Sequence, residues 1–329
     1  MTRPAAVAGR ARLAAIAALT LLPLFAVTAC GSGNTATGGA DKAAPAGAQG
    51  GGPAPASTDN PVAEVKKVDA IAALLPADVR AKGSLRIGTS VGAPPSAYYP
   101  NGQDKPPAGQ DIDLADAAAK VLGITLERQD ASFETILPAL GSGKYDLGTG
   151  NFGVTTERLK TIDFVTYIND GQGFAVKTGG DRLTKPVKDL TDLCGLIVGT
   201  GAGTTFEKTL TAKKDVCEKA GKKPYEVKVF SDNGATVSAL RQGRVDTVMS
   251  TINGLRYQAS QPAAQTTFLG EFKRLDVGFA FKKGTPLAPA FQAAVNELVK
   301  NGTYERILRK WGTQESAIPK SEINPAELS

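Results

Sequence analysis

Residues 146–164, DLGTGNFGVTTERLKTIDF, decide how this chain is read. Residues 146–149 have the length and apolar content of a short buried strand. Residues 150–153 form a glycine-rich turn, and a helical turn opens near Thr155 with Arg158 inside it. A strand that ends in a glycine turn before a helix leaves backbone N–H groups converging on one spot, which suits an anion. A guanidinium at that spot adds a planar fork able to grip a carboxylate with two parallel hydrogen bonds. The bland alternative is a surface arginine near a helix start, where its charge opposes the helix dipole. That opposition, together with the glycines, favours a binding role.

Working outward, strands and helices alternate. Strands are expected at 85–89, 125–129, 163–167, 196–200, 226–230 and 246–250. Helices are expected at 65–75, at 114–122 ended by Gly123, through Leu140, at 204–213 and at 233–242. Phe291, Ala294, Val295 and Leu298 mark one apolar face of a further helix. Alternation of this kind implies an α/β fold with mostly parallel sheets covered on both faces. There is an internal echo: Ala139, Leu140, Gly143, Lys144 and Asp146 recur in spacing as Ala239, Leu240, Gly243, Arg244 and Asp246, and IGT at 87–89 recurs as VGT at 198–200. The echo implies two lobes on one plan. Because open parallel sheets bind ligands beyond the carboxyl ends of their strands, two lobes offer two facing rims. The first rim holds Ser90, Gly150, Asn151 and Gly153 with Arg158 behind; the second holds residues 201–205, Ser231, Asp232, Ser250 and Thr251.

Composition excludes several chemistries. The 329-residue chain contains no histidine, which removes Ser-His-Asp and Cys-His catalysis and histidine-ligated metals. Three cysteines cannot build a four-thiolate zinc site, and no metal or other cofactor is called for. The net charge of +6 includes Arg3, Arg10 and Arg12 of an expected leader; without them 35 basic residues face 32 acids. No basic run with interleaved aromatics points to nucleic acid.

Arg3, Arg10 and Arg12 precede an apolar stretch, 13–27, that is short for a spanning helix. With Val27-Thr28-Ala29-Cys30-Gly31 it resembles a bacterial lipoprotein signal, with Cys30 acylated as the first mature residue. The alternative is an ordinary secretory signal beside a chance cysteine. Residues 1–29 are thus expected to be a signal peptide. Residues 30–61, rich in Gly, Ala, Pro, Ser and Thr, are expected to be a flexible tether from the outer face of the membrane. In an exported protein the remaining pair, Cys194 and Cys217, reads as a disulfide.

The ordered segments GSLRIGTSVGAPPSAYYP, GQDIDLADAAAKVLG, SFETILPALGSGKYDLGTGNFGVTTERLKTIDF, GTGAGTTFEK, ALRQGRVDTVM and NELVKNGTYERILRKWG cover most of residues 83–312. Together they resemble the family-3 extracellular solute-binding proteins of ABC importers, the polar amino acid class. The resemblance implies a two-lobed periplasmic-binding-protein-like fold (type II): two open, mostly parallel sheets joined by a two-strand hinge near 170–173 and 274–278. Lobe 1 would comprise 62–171 and 277–329, and lobe 2 residues 172–276. It implies that Arg158 binds a ligand α-carboxylate with help from the Gly153 N–H, and that Thr205, next to Thr204, bonds the same group from the other lobe. Phe133 would be a platform under the ligand side chain, or alternatively a core phenylalanine. Implied partners are an amino acid or related small carboxylate and the permease subunits, with the protein a monomer anchored by its lipid.

This chain also departs from the pattern. Thr251 stands where relatives carry an aspartate for the ligand ammonium, and Ser90 and Ala93 stand where an acid and an aromatic are frequent. Gly150, Asn151 and Gly153 replace expected serines. Asp232 could supply the missing charge, or it could simply cap the next helix. Two alternatives to solute capture are a secreted enzyme on the same fold, dehydratase or lyase-like, and a sensor lipoprotein that presents its ligand. Asp232 is the one good acid-base candidate, so no enzyme is expected.

Overall fold

The computed structural model describes residues 59–328. The expected signal peptide, Cys30 and nearly all of the expected tether lie outside that range. In chain order the elements are α1 (Asp69–Ala72), α2 (Ala77–Lys82), β1 (Ser84–Thr89), α3 (Gln110–Leu122), β2 (Thr125–Asp130), α4 (Phe133–Gly141), β3 (Leu147–Gly153) and β4 (Ile162–Lys177). After these come β5 (Ile197–Gly201), α5 (Thr205–Ala212), α6 (Val216–Lys219), β6 (Glu226–Phe230), α7 (Asn233–Arg241), β7 (Thr247–Thr251), α8 (Ile252–Ala259), β8 (Thr266–Lys282), α9 (Ala288–Lys300) and α10 (Thr303–Trp311).

The strands form one mixed sheet in the order β2-β1-β3-β8-β4-β7-β5-β6. β1 pairs in parallel with β2 and β3, and β5 in parallel with β6 and β7. Between these triplets run two long antiparallel strands, β4 and β8, which pair with each other from Ile162↔Lys282 to Lys177↔Thr266. The fold is the expected two-lobed type II architecture, but its two sheets are continuous rather than separate. Each crossing strand is long enough to serve as the fourth strand of one lobe and the fifth of the other, so no hinge segment interrupts the ladder. The segment expected as a separate short strand at 163–167 is the first third of β4.

The apolar residues divide accordingly. One core draws on β1, α3, α9 and α10 and includes Ile87, Leu114, Phe279, Phe291 and Trp311. Another lies under β5 and α5 and includes Phe174, Leu193, Val198, Leu210 and Met249. The α9 face at Phe291, Ala294, Val295 and Leu298 is fully buried; burying one such side chain contributes about 1.5–3 kcal/mol. The echo in the sequence is an echo in space. The Asp146 carboxylate accepts the Arg86 backbone N–H at 2.9 Å and pairs with the Arg86 guanidinium at 2.7 Å. Asp246 repeats this on the Ile197 N–H at 2.7 Å, with Arg182 as its cation at 3.0 Å. Cys194 and Cys217 are joined, with Cα atoms 5.6 Å apart, and tie the start of β5 to α6. Among the described residues no helix is long and apolar enough to cross a membrane.

Three local expectations differ. Residues 150–153 are not a turn but the second half of β3, because Phe152 and Gly153 find ladder partners in Gly278 and Val277 of β8. The register shift between Gly148 and Phe152 absorbs the irregularity, with Asn151 in the left-handed region at φ 55°. The helix expected to open near Thr155 is a single 3-10 turn, Arg158–Lys160, whose first N–H is capped by the Thr155 hydroxyl at 3.2 Å. The helix expected over 65–75 shrinks to α1, because the Val68 N–H is already taken by the Val121 carbonyl of the neighbouring lobe-1 helix.

Candidate functional site

Between the lobes lies a cavity of about 780 Å³. Its floor is made of strand ends. Ser90 comes directly after β1 and is held by the Thr149 carbonyl at 3.0 Å. Gly150 is closely packed: a Cβ there would sit 3.0 Å from the Ser90 Cβ and 3.3 Å from the Phe152 ring. Asn151 is fixed at three points: its N–H donates to Asp111 at 2.9 Å, and its amide to Asp170 at 2.8 Å and to the Ser96 hydroxyl at 3.4 Å. An asparagine tolerates the left-handed conformation that the bulge requires.

The second lobe contributes three helix starts. Thr204 caps α5, its hydroxyl accepting the Glu207 N–H at 3.1 Å and donating to the Gly201 carbonyl at 2.7 Å, which leaves Thr205 as the first helical residue. Asp232 caps α7 through the Ala235 N–H at 2.7 Å. Thr251 caps α8 through the Gly254 N–H at 3.1 Å. All three therefore do the structural job their residue types favour and still line the cavity. Positive helix ends thus converge on the cleft from one side.

Of the residues singled out in the sequence, Ser90, Gly150, Asn151, Phe133, Thr204, Thr205, Thr251 and Asp232 line this one cavity. Gly153 and Arg158 do not. Arg158 is 7% exposed and sits against two rings, its guanidinium 5.7 Å from the Phe133 centroid and 5.8 Å from that of Phe152. It donates to the Gly153 carbonyl at 3.0 Å and, across the lobes, to the Gly203 carbonyl at 3.3 Å. It lines a second space of about 230 Å³ that shares Phe133 with the large cavity. Desolvation lowers its pKa to about 10, and no carboxylate lies within ion-pair distance among the described residues. The neighbouring Glu157 pairs instead with Lys208 of the second lobe at 2.8 Å.

Behind the floor lies a buried acid pair. Asp170, on β4, joins the Asn151 amide to the Asn253 N–H of α8 at 3.1 Å, so one carboxylate connects the rim of the first lobe to a helix of the second. Burial pushes the Asp111 carboxyl up to about 6 and raises that of Asp170 as well. Sequence reasoning missed Asp111, Asp170, Tyr99 and Asp130. Asp130 was within reach: it is the last residue of β2 and falls under the same strand-end logic that selected Ser90. Tyr99 lies in an irregular loop without periodicity, and burial of the two other acids is a product of tertiary packing.

The chain matches the family described as bacterial extracellular solute-binding proteins, family 3, over residues 85–314. It is 29% identical over 264 residues to the arginine-binding protein ArgT of Corynebacterium glutamicum, covering 80% of this chain and 85% of that relative. A solved ancestral arginine-binding protein bound to arginine is 36% identical, with TM-score 0.62, over 70% of this chain and 98% of the other. An ancestral amino acid-binding protein that is a precursor of cyclohexadienyl dehydratase is 28% identical, with TM-score 0.61, over 71% and 97%. On the strength of the match over 85–314, the chain belongs to family 3 of the bacterial extracellular solute-binding proteins.

Proposed function

We propose that this protein is the membrane-anchored, extracytoplasmic solute-binding component of an ABC importer. Its lobes would close on an amino acid or amino-acid-like carboxylate and deliver it to the permease, with Cys30 acylated and residues 30–61 as tether. The observation that carries the carboxylate is Arg158. A guanidinium this buried, with neutral carbonyls as its hydrogen-bond partners, lacks the counter-charge that would offset its desolvation. A carboxylate at the start of α5 would supply it. There Thr205 and the helix dipole already favour negative charge, and the guanidinium would exchange the Gly203 carbonyl for a charge-assisted bond roughly twice as strong. Because Arg158 already touches both lobes, that exchange would couple ligand capture to closure.

A thermal-shift screen of amino acids, amines and small carboxylates tests this. A solute at 100 times its dissociation constant stabilises by roughly 2.7 kcal/mol. Arg158→Ala should abolish the shift while the variant keeps its fold; an unchanged shift would mean that the carboxylate is held elsewhere. The likeness to a dehydratase precursor supports a second, enzymatic reading. Incubation with each stabilising solute followed by mass spectrometry separates the two, since binding alone returns the solute unchanged.

A further inference from the structure

Arg158 sits in the connection between β3 and β4, and its place depends on what holds that connection. Val154, at its start, donates its N–H to the Asp276 carbonyl of β8 at 2.7 Å. Further on, the Thr155 hydroxyl caps the Arg158 N–H, and the Thr161 N–H closes the turn on the Arg158 carbonyl at 3.1 Å. The Thr156 N–H points out of the connection instead. It donates at 2.9 Å to the carboxylate of Glu327, 171 residues later in the chain.

Glu327 is brought there by the segment that follows α10. In the first lobe β4 pairs with β8 on one side, while β7 meets it only over residues 172–176. The start of β4 therefore has an open edge, and residues 321–324 lie along it. The Thr166 N–H donates to the Glu322 carbonyl at 2.9 Å, Val165 bridges Ile323, and the Asn324 side-chain oxygen accepts the Phe164 N–H at 2.7 Å. A strand edge gains protection from such a cover, but the cover is complete at Asn324 and does not account for Glu327. Three residues on, one Glu327 oxygen takes the Thr156 N–H and the other pairs with Lys273 of β8 at 3.2 Å. A backbone N–H held by a carboxylate makes a bond roughly twice as strong as one held by a carbonyl. Glu327 pairs with Lys273 and not with Arg158, so its influence reaches the guanidinium through the backbone from Thr156.

We propose that Glu327 is a positioning residue for Arg158: by holding the Thr156 N–H and Lys273 of the crossing strand on one carboxylate, it sets where the guanidinium stands relative to the second lobe. The role rests on the solute-binding reading above, in which Arg158 takes the solute's carboxylate. Glu327 does not line the cavity. Its loss therefore weakens all carboxylate-bearing solutes by the same factor, whatever their side chains.

Hydrogen exchange and isothermal titration of the purified, processed protein test this, with the twenty standard L-amino acids as probes. The unaltered chain is compared with Glu327→Ala, which removes both contacts, and Glu327→Gln, which keeps an oxygen for the Thr156 N–H. All are measured well below their melting temperatures, so that unfolding does not enter. In Glu327→Ala exchange over residues 154–161 should rise. Affinity should fall about 10-fold for each amino acid that the unaltered protein binds, the scale of one charge-assisted hydrogen bond. Glu327→Gln should recover most of the protection and most of the affinity. Unchanged exchange, unchanged affinity, or a loss that differs from one amino acid to the next in Glu327→Ala overturns the positioning role and leaves the solute-binding role standing. So does a loss in Glu327→Gln as large as that in Glu327→Ala, which assigns the effect to the lost ion pair. If no amino acid binds the unaltered protein, amino acid capture falls, and the positioning role falls with it.

Discussion

Asp111 shows how a single side chain can make this fold sensitive to pH. Its carboxyl is buried beneath the rim and titrates near 6, against an ordinary value of 3.8, chiefly through desolvation. The folded chain therefore holds that proton more tightly than the unfolded chain. The contribution of this one group is fully present below the unfolded value, falls as pH rises from about 4 to about 6, and is lost above it; the difference is roughly 3 kcal/mol. Asp111→Asn keeps an oxygen for the Asn151 N–H and removes the charge. Thermal melts of the two proteins at pH 4.5 and 7.5 should show the variant gaining relative to the parent at the higher pH; parallel melts would mean that Asp111 does not titrate there. Legibility at this scale was uneven. Ser90, Asn151 and Thr251 were singled out as strand-end residues, and they line the cavity. Arg158 was singled out by its place after the glycine-rich segment, but nothing in a sequence reports which side of Phe133 its guanidinium occupies.

Elements were easier to read where a pattern is long and one-sided, as in α9, and harder where partners decide. Residues 150–153 look like a turn because two glycines and an asparagine dominate them; they are a strand because β8 supplies hydrogen bonds. That partner is more than a hundred residues away, so no local signal announces it. The Cys194–Cys217 bridge, by contrast, is legible from an export context and a cysteine count. It closes a loop of 23 residues' separation, which the chain-entropy model values at about 3 kcal/mol. Replacing both cysteines by alanine should lower stability by that amount in urea unfolding, with the m-value little changed; a loss well under 1 kcal/mol would show that the reduced chain is already constrained. The Asp146 and Asp246 clips explain why the two echoed segments keep an aspartate, since each secures the N–H of a neighbouring strand that the ladder leaves unpaired.

For the molecule as a whole, the two lobes are joined in the sheet through two strands. β4 and β8 pair through both lobes, and their register shifts cluster at Thr166/Ile168, Gln172/Gly173 and Phe174/Ala175. Gly171 lies between them at φ 156°, and a Cβ there would come within 2.1 Å of the Lys273 carbonyl. Gly171→Ala should therefore cost about 2 kcal/mol or more and change the compaction seen by small-angle scattering when solute is added. Unaltered melting and unaltered compaction would place the bend elsewhere. Two contacts cross the cleft, Lys208 to Glu157 and Arg158 to the Gly203 carbonyl.

The shared strands have one more consequence, for the order in which the chain acquires its shape. Every strand of the second lobe lies within one unbroken stretch from β4 to the first half of β8, whereas the first lobe needs the far half of β8 and the two helices after it. As the polypeptide is made and exported from its amino end, the half that emerges earliest is the last to be finished. Until the far half of β8, α9 and α10 arrive, Ile87, Leu114 and neighbouring side chains lack part of the core that covers them.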